Sequence, residues 1–162
     1  MGGMRCGGLV PIEMGMSYNP VDAFNNRAGT VGSVGFGWVL DYDIVFLPFS
    51  GPQKRIVLPA GQFVNFTDQG GGTYRNNDDP RFDGAVLRAT NLGANEWELR
   101  HKEGRIWRFR PFPGITGIIR GGPPLFLTEI IEPAGAALTI TRQDNGRLPS
   151  VGTLLRTIQA IY

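Results

Sequence analysis

The side chains able to do chemistry are few here, and their types and spacing limit what that chemistry is. His101 is the only imidazole and Cys6 the only thiol. A zinc site takes three or four ligands drawn chiefly from nitrogen and sulfur, so this pair cannot build one. A single cysteine also excludes an internal disulfide framework, and Cys6 reads as an incidental thiol. As a catalytic base, His101 would need a nucleophile within hydrogen-bond reach. It stands instead one residue before a turn on a charged hairpin, which reads as an exposed or half-packed histidine.

Carboxylates offer a second kind of chemistry. Asp41 and Asp43, or two of Glu96, Glu98 and Glu103, have the residue types of a glycosidase pair. Alternate residues on any strand share a face at about 7 Å, so the aspartate spacing is what a strand gives without function. The glutamates have arginines opposite them and read as structural. Asp78, Asp79 and Asp83 in "NNDDPRFDG" supply oxygen ligands but not the twelve-residue calcium-loop pattern. These residues therefore lead to an expectation of no catalytic residue, no cofactor and no metal.

The glycines of "VGSVGFGW" suggest a phosphate loop, but that loop needs a helix N-terminus to aim its amides, and a strand-like run follows instead. Gly35 and Gly37 read as points where the backbone bends and approaches closely, with Trp38 anchoring a β core.

The elements that must position these residues are strands. Ile12, Met14, Met16 and Tyr18 alternate with polar or small residues up to Asn19-Pro20. "WVLDYDIVFL" from Trp38 to Leu47 reads as one strand, with Trp38, Leu40 and Tyr42 on one face and Asp41 and Asp43 on the other. "KRIVLPAGQFVNFTD" reads as two strands around Pro59-Ala60-Gly61, and "DQGGGTYRNNDDPRFDG" as a polar loop. Asn65-Phe66-Thr67 also matches a glycosylation acceptor.

The clearest local reading is "EWELRHKEGRIWRFR". A three-residue turn at Lys102-Glu103-Gly104, with Gly104 left-handed, pairs Leu99 with Trp107 and Trp97 with Phe109 on one face. It pairs Glu98 with Arg108 and Glu96 with Arg110 on the other. A two-residue turn would mix the faces, since a one-residue slip inverts every side chain. The same arginines and tryptophans have the composition of a platform for single-stranded nucleic acid. The tryptophans fall on the apolar face, however, so the charged face reads as solvated and salt-paired.

A second hairpin joins "LFLTEII" to "AALTITR" through Glu132-Pro133-Ala134-Gly135, and a third turn falls at Asp144-Asn145-Gly146. "RHKEGRI" from Arg100 returns as "RQDNGRL" from Arg142, which with the intervening turn suggests a unit of about 21 residues. The tail "TLLRTIQAIY" reads as one more strand.

Composition agrees with many short strands and tight turns. There are 24 glycines and 12 prolines in 162 residues, with no period-three glycine, while hydrophobic content is an ordinary 41%. A net charge of +2 gives no electrostatic ground for a nucleic-acid partner. No apolar run approaches membrane-spanning length, and the opening "MGGMRCGGLV" lacks the apolar core of a signal peptide.

"MSYNP" followed by "VGFGWVLDYDIVFL" resembles the opening segment of Rhs-family (YD-repeat) proteins. "EWELRHKEGRIWRFR" and "FLTEIIEPAGAALTITRQDNGRLPSV" are similar to the hairpins of that family's repeat. The similarity runs from about residue 11 to residue 151. Arg142-Gln143-Asp144 stands where the family often has tyrosine-aspartate, and "RPFPGITGIIRGGPP" looks like an insertion. The resemblance implies a spiralling antiparallel β shell able to enclose a polypeptide such as a toxin, related to teneurin and toxin-complex C-subunit shells. It also implies a secreted or cell-surface location.

The resulting expectation is an all-β protein of antiparallel hairpins in a twisted or spiralling sheet, completed by neighbouring chains where it is incomplete. Its regions are a loose N-terminus at 1–11, an Rhs-type β module at 12–122 and YD-like repeat hairpins at 123–162. Gly35, Gly37, Trp38, Trp97, Gly104, Trp107, Gly135 and Gly146 are its structural positions. Its work is structural and non-enzymatic, with partners among further β-repeats of the same or neighbouring chains, as a homo-oligomer or polymer. An open sheet edge is the template for that pairing. The rival reading is a carbohydrate- or ligand-binding β-sandwich using Trp38, Trp97 and Trp107.

Overall fold

The computed structural model describes residues 15–18, 38–48, 52–59, 62–112, 123–144 and 153–161. Within them the chain is all-β and antiparallel, with a 3-10 turn at Pro80–Phe82. Gly35, Gly37 and Gly146 lie outside the described residues, as do residues 12–14 at the start of the strand expected from Ile12. Strands β1 (Met16–Tyr18) and β2 (Trp38–Leu40) form a small separate sheet.

Eight strands then follow as a meander: β3 (Val45–Leu47), β4 (Gln53–Val57), β5 (Phe63–Asp68), β6 (Thr73–Arg75), β7 (Val86–Asn91), β8 (Glu96–Arg100), β9 (Ile106–Pro111) and β10 (Leu125–Ile131). Each pairs with the next, and β10 returns to β3 through Leu125↔Phe46 and Phe126↔Val45. The sheet from β3 to β10 is thus a closed barrel within one chain, built from the antiparallel hairpins that were anticipated. Residues on both sides of position 122 contribute to it.

Alternation dictates the interior. Phe46, Ile56, Phe66, Leu87, Leu99, Phe109, Leu125 and Leu127 are fully buried, and the register sets Phe46 against Ile56 and Leu125, Leu87 against Leu99, and Phe109 against Leu127. An eight-stranded barrel is just wide enough for such side chains to fill it. Burying each one stabilises the fold by about 1.5–3 kcal/mol. Phe46 packs at a tilt against Trp97 at 5.1 Å and Phe109 at 5.7 Å between ring centroids.

The outer face of the later strands carries charge. Arg88, Glu98, Arg108 and Glu129 lie in register across β7, β8, β9 and β10, alternating in sign. A membrane-spanning barrel has the reverse arrangement, apolar outside on strands of about 9–11 residues. No helix among the described residues is long and apolar enough to cross a membrane.

Two expectations need correction. The run from Trp38 to Leu47 is not one strand, because its aspartates bind backbone. Asp43 donates its amide to the Leu40 carbonyl at 2.9 Å, and its Oδ2 accepts the Leu40 amide at 2.9 Å. Asp41 Oδ2 accepts the Gly15 amide at 2.8 Å, tying the small sheet together. Such side-chain bonds compete with a sheet ladder and turn the chain. The segment anticipated as a polar loop contains β6, and its 3-10 turn drives Phe82 into the barrel at 3% exposure.

β10 carries a bulge between Leu127 and Glu129. Beyond it, Glu129–Ile131 pair with β11 (Ala137–Asp144) on the side where β3 lay. β11 pairs along its length with β12 (Thr153–Ile161), the strand anticipated in the tail.

Candidate functional site

Two hairpin turns stack at one end of the barrel, and both are built the same way. At 102–104 the His101 amide donates to the Arg105 carbonyl at 2.8 Å and the Gly104 amide to the His101 carbonyl at 3.0 Å. At 133–135 the Glu132 amide donates to Ala136 at 2.8 Å and Gly135 to Glu132 at 2.9 Å. Gly104 and Gly135 have φ of 99° and 93°, the left-handed region where a side chain is strained. The anticipated pairs Trp97↔Phe109, Glu98↔Arg108 and Leu99↔Trp107 are all present. Arg105 Nε donates to Glu132 Oε1 at 3.0 Å, joining one turn to the other. Gly104 faces the Pro133 ring, which a Cβ would meet at 3.5 Å.

His101 lies beneath these turns at 9% exposure, not exposed or half-packed as its hairpin position implied. The alternation that turns Trp97 and Leu99 inward turns His101 inward too. Its ring meets Trp107 edge-on at 4.7 Å and Phe82 at 5.9 Å. Nε2 is buried and has no hydrogen-bond partner among the described residues. Burial pushes the imidazole pKa below its ordinary value; Glu103 and Glu132 pull it up, and Arg105 pushes it down.

At the other end, Lys54 projects on the inner side of β4. Its ammonium sits 5.2 Å from the Tyr74 ring centroid and 5.8 Å from that of Trp97. Burial lowers the lysine pKa against the opposing pull of Asp68, and raises the Tyr74 hydroxyl. Trp97 is enclosed in the core and Trp107 is half-buried against it. The Trp38 side chain lies outside the described residues.

The carboxylates are committed elsewhere. Glu98 is 3% exposed despite its outward register, because Arg88 contacts it at 2.8 Å and Arg100 at 3.6 Å. Arg108 turns to Glu129 at 3.0 Å, while Glu96 keeps its anticipated partner Arg110 at 3.4 Å. Asp79 is clasped by Arg81, whose hydrogen bonds hold the carboxyl below the usual range, and Asp83 pairs with Lys102 at 3.5 Å. Among the described residues no group of three or more His, Cys, Asp or Glu is placed to hold a metal ion.

An open groove of about 590 Å³ runs along β5 and the 3-10 turn, between Phe63, Asn65, Asn76, Asp78 and Arg81. Phe63 is 56% exposed, with the Arg55 guanidinium 4.1 Å from its ring centroid. Asn76 is spent on backbone, donating to the Asn65 carbonyl at 2.8 Å and accepting the Asp79 amide at 2.6 Å. Asn65 Oδ1 accepts from Arg55 at 2.9 Å. The groove is largely satisfied by its own walls.

The remaining feature is an edge. β12 is terminal in the ten-stranded sheet and pairs on one side only among the described strands. No protein-family model matches the chain, and no curated protein matches it significantly.

Proposed function

We propose that the chain is a structural, non-enzymatic β module that starts a longer sheet: a filled barrel from which the β11–β12 ribbon offers its outer edge to further strands. The observation that carries this reading is β12 itself, nine residues paired on one side only among the described strands. A two-stranded ribbon is marginal in water on its own, and an unpaired strand edge is a template for another chain. The repeated three-residue turn and the resemblance to Rhs-type repeats support a sheet that continues by adding hairpins. The partner is a β-strand of the same or a neighbouring chain, and the product is a shell, tube or fibre at a secreted or cell-surface location. Any polypeptide the assembly encloses lies outside this barrel, whose interior side chains already fill it.

Size exclusion and negative-stain microscopy of the purified chain test the reading. Concentration-dependent stacks or fibres are expected, and they should disappear in the Thr157→Lys/Gln159→Lys variant, since edge lysines block pairing. A strict monomer across a wide concentration range would overturn the assembly reading.

A further inference from the structure

We infer that His101 is an acid-sensitive keystone of the barrel, holding the two stacked turns and the Phe82 plug together while its ring is neutral and releasing them when it takes up a proton. This rests on placement and does not depend on the assembly reading.

The imidazole packs against two elements while its own backbone closes the turn. β9 contributes the Trp107 ring at 4.7 Å and the 3-10 turn contributes Phe82 at 5.9 Å, and the His101 amide and carbonyl bond Arg105 at 2.8 Å and Gly104 at 3.0 Å. A neutral ring needs a hydrogen on only one nitrogen, so a buried Nε2 without a partner is tolerable as a bare acceptor. An imidazolium carries hydrogens on both, and Nε2–H would then have no acceptor among the described residues to receive it. Stranding a charged donor costs far more than leaving a neutral acceptor unmet.

The surrounding charges do not repair this. From its own turn Glu103 attracts the proton, and from the adjoining turn Glu132 does too, but Glu132 is engaged by Arg105 at 3.0 Å and Arg105 repels a second cation. On the 3-10 turn Arg81 and Asp79 pair with each other, and Asp83 faces Lys102. Trp107 offers attraction between a cation and a ring face, yet no acceptor at Nε2.

The sign follows from burial. The folded protein binds this proton less readily than the unfolded chain, so stability is complete above the unfolded value of 6.5 and falls as pH drops below it. Each pH unit below that point, down to the folded value, raises the unfolded-to-folded ratio by up to about tenfold. The sequence makes the effect readable because His101 is its only histidine. Between about pH 5.5 and 7, few other groups titrate.

The experiment is urea unfolding of the full chain from pH 7.5 to 5.0, for wild type and His101→Phe. The wild-type midpoint should fall steadily below pH 6.5, while the variant, which keeps an aromatic ring in the box, should stay nearly level down to about 5.5. Parallel curves overturn the inference. Should the variant fail to fold, an NMR titration of the single imidazole in the wild type decides the matter. A folded-state midpoint below the ordinary histidine value supports the keystone, and one at or above it removes it.

Discussion

At the turn end of the barrel, Phe82 and Trp107 enclose the ring of His101, whereas at the opposite end Lys54 lays its ammonium over Tyr74 and Trp97. Burial biases both groups toward their neutral forms. They differ in reach. A lysine stem can bury its methylenes and still bring the charge to water, while an imidazole one carbon from the backbone stays where the strand puts it. The lysine end is therefore a soft rim, and the histidine end a packed plug. Which end governs stability then depends on packing more than on charge.

Substitutions can break or sharpen that contrast. The largest effect belongs to Phe82→Ala, which empties the plug and should cost about 3–5 kcal/mol, read from the shift in urea midpoint. A cost below about 1 kcal/mol would mean that Phe82 merely rests on the barrel mouth. Next comes Gly104→Ala at the same end, where a side chain at φ 99° should cost about 1–2 kcal/mol by the same assay. An unchanged midpoint there would show that the turn relaxes freely and is not part of the plug. The smallest change is expected at the rim, where Lys54→Met keeps the stem's volume and should alter stability by less than about 1 kcal/mol. A loss above about 2 kcal/mol would erase the distinction between the ends.

The β8–β9 hairpin was legible in the sequence because one register alone puts Trp97, Leu99, Trp107 and Phe109 on one side and opposite charges on the other. His101 was legible by the same alternation, two positions beyond Leu99, but its charge class and nearness to a turn drew it outward. Phe82 was not legible. It is a lone aromatic in a polar run, and a three-residue 3-10 turn leaves no periodicity to read. The break in "WVLDYDIVFL" was hidden for another reason. Hydropathy sees aspartates as outward polar residues, whereas here their oxygens accept backbone amides. Closure of the barrel was beyond sequence patterning, since it rests on which strands meet and not on what each strand is. Among the anticipated structural positions, Trp97, Trp107, Gly104 and Gly135 gather in the core or at the stacked turns, while Gly35, Gly37 and Gly146 lie outside the described residues.

The strand that seals the ring spends itself twice, meeting β3 with its first residues and β11 with its last. Every other seam of the barrel joins strands adjacent in sequence, so it can zip as soon as both arms exist. The β3–β10 seam instead joins positions roughly eighty residues apart, and its loop-closure entropy must be overcome by only a few backbone bonds. Folding therefore has an order, with local hairpins first and the ring shut last, and until β10 arrives the row of apolar side chains from Phe46 to Phe109 lies open to water. The slowest kinetic phase should belong to residues 125–127, the point at which an unfinished copy is most prone to capture by another.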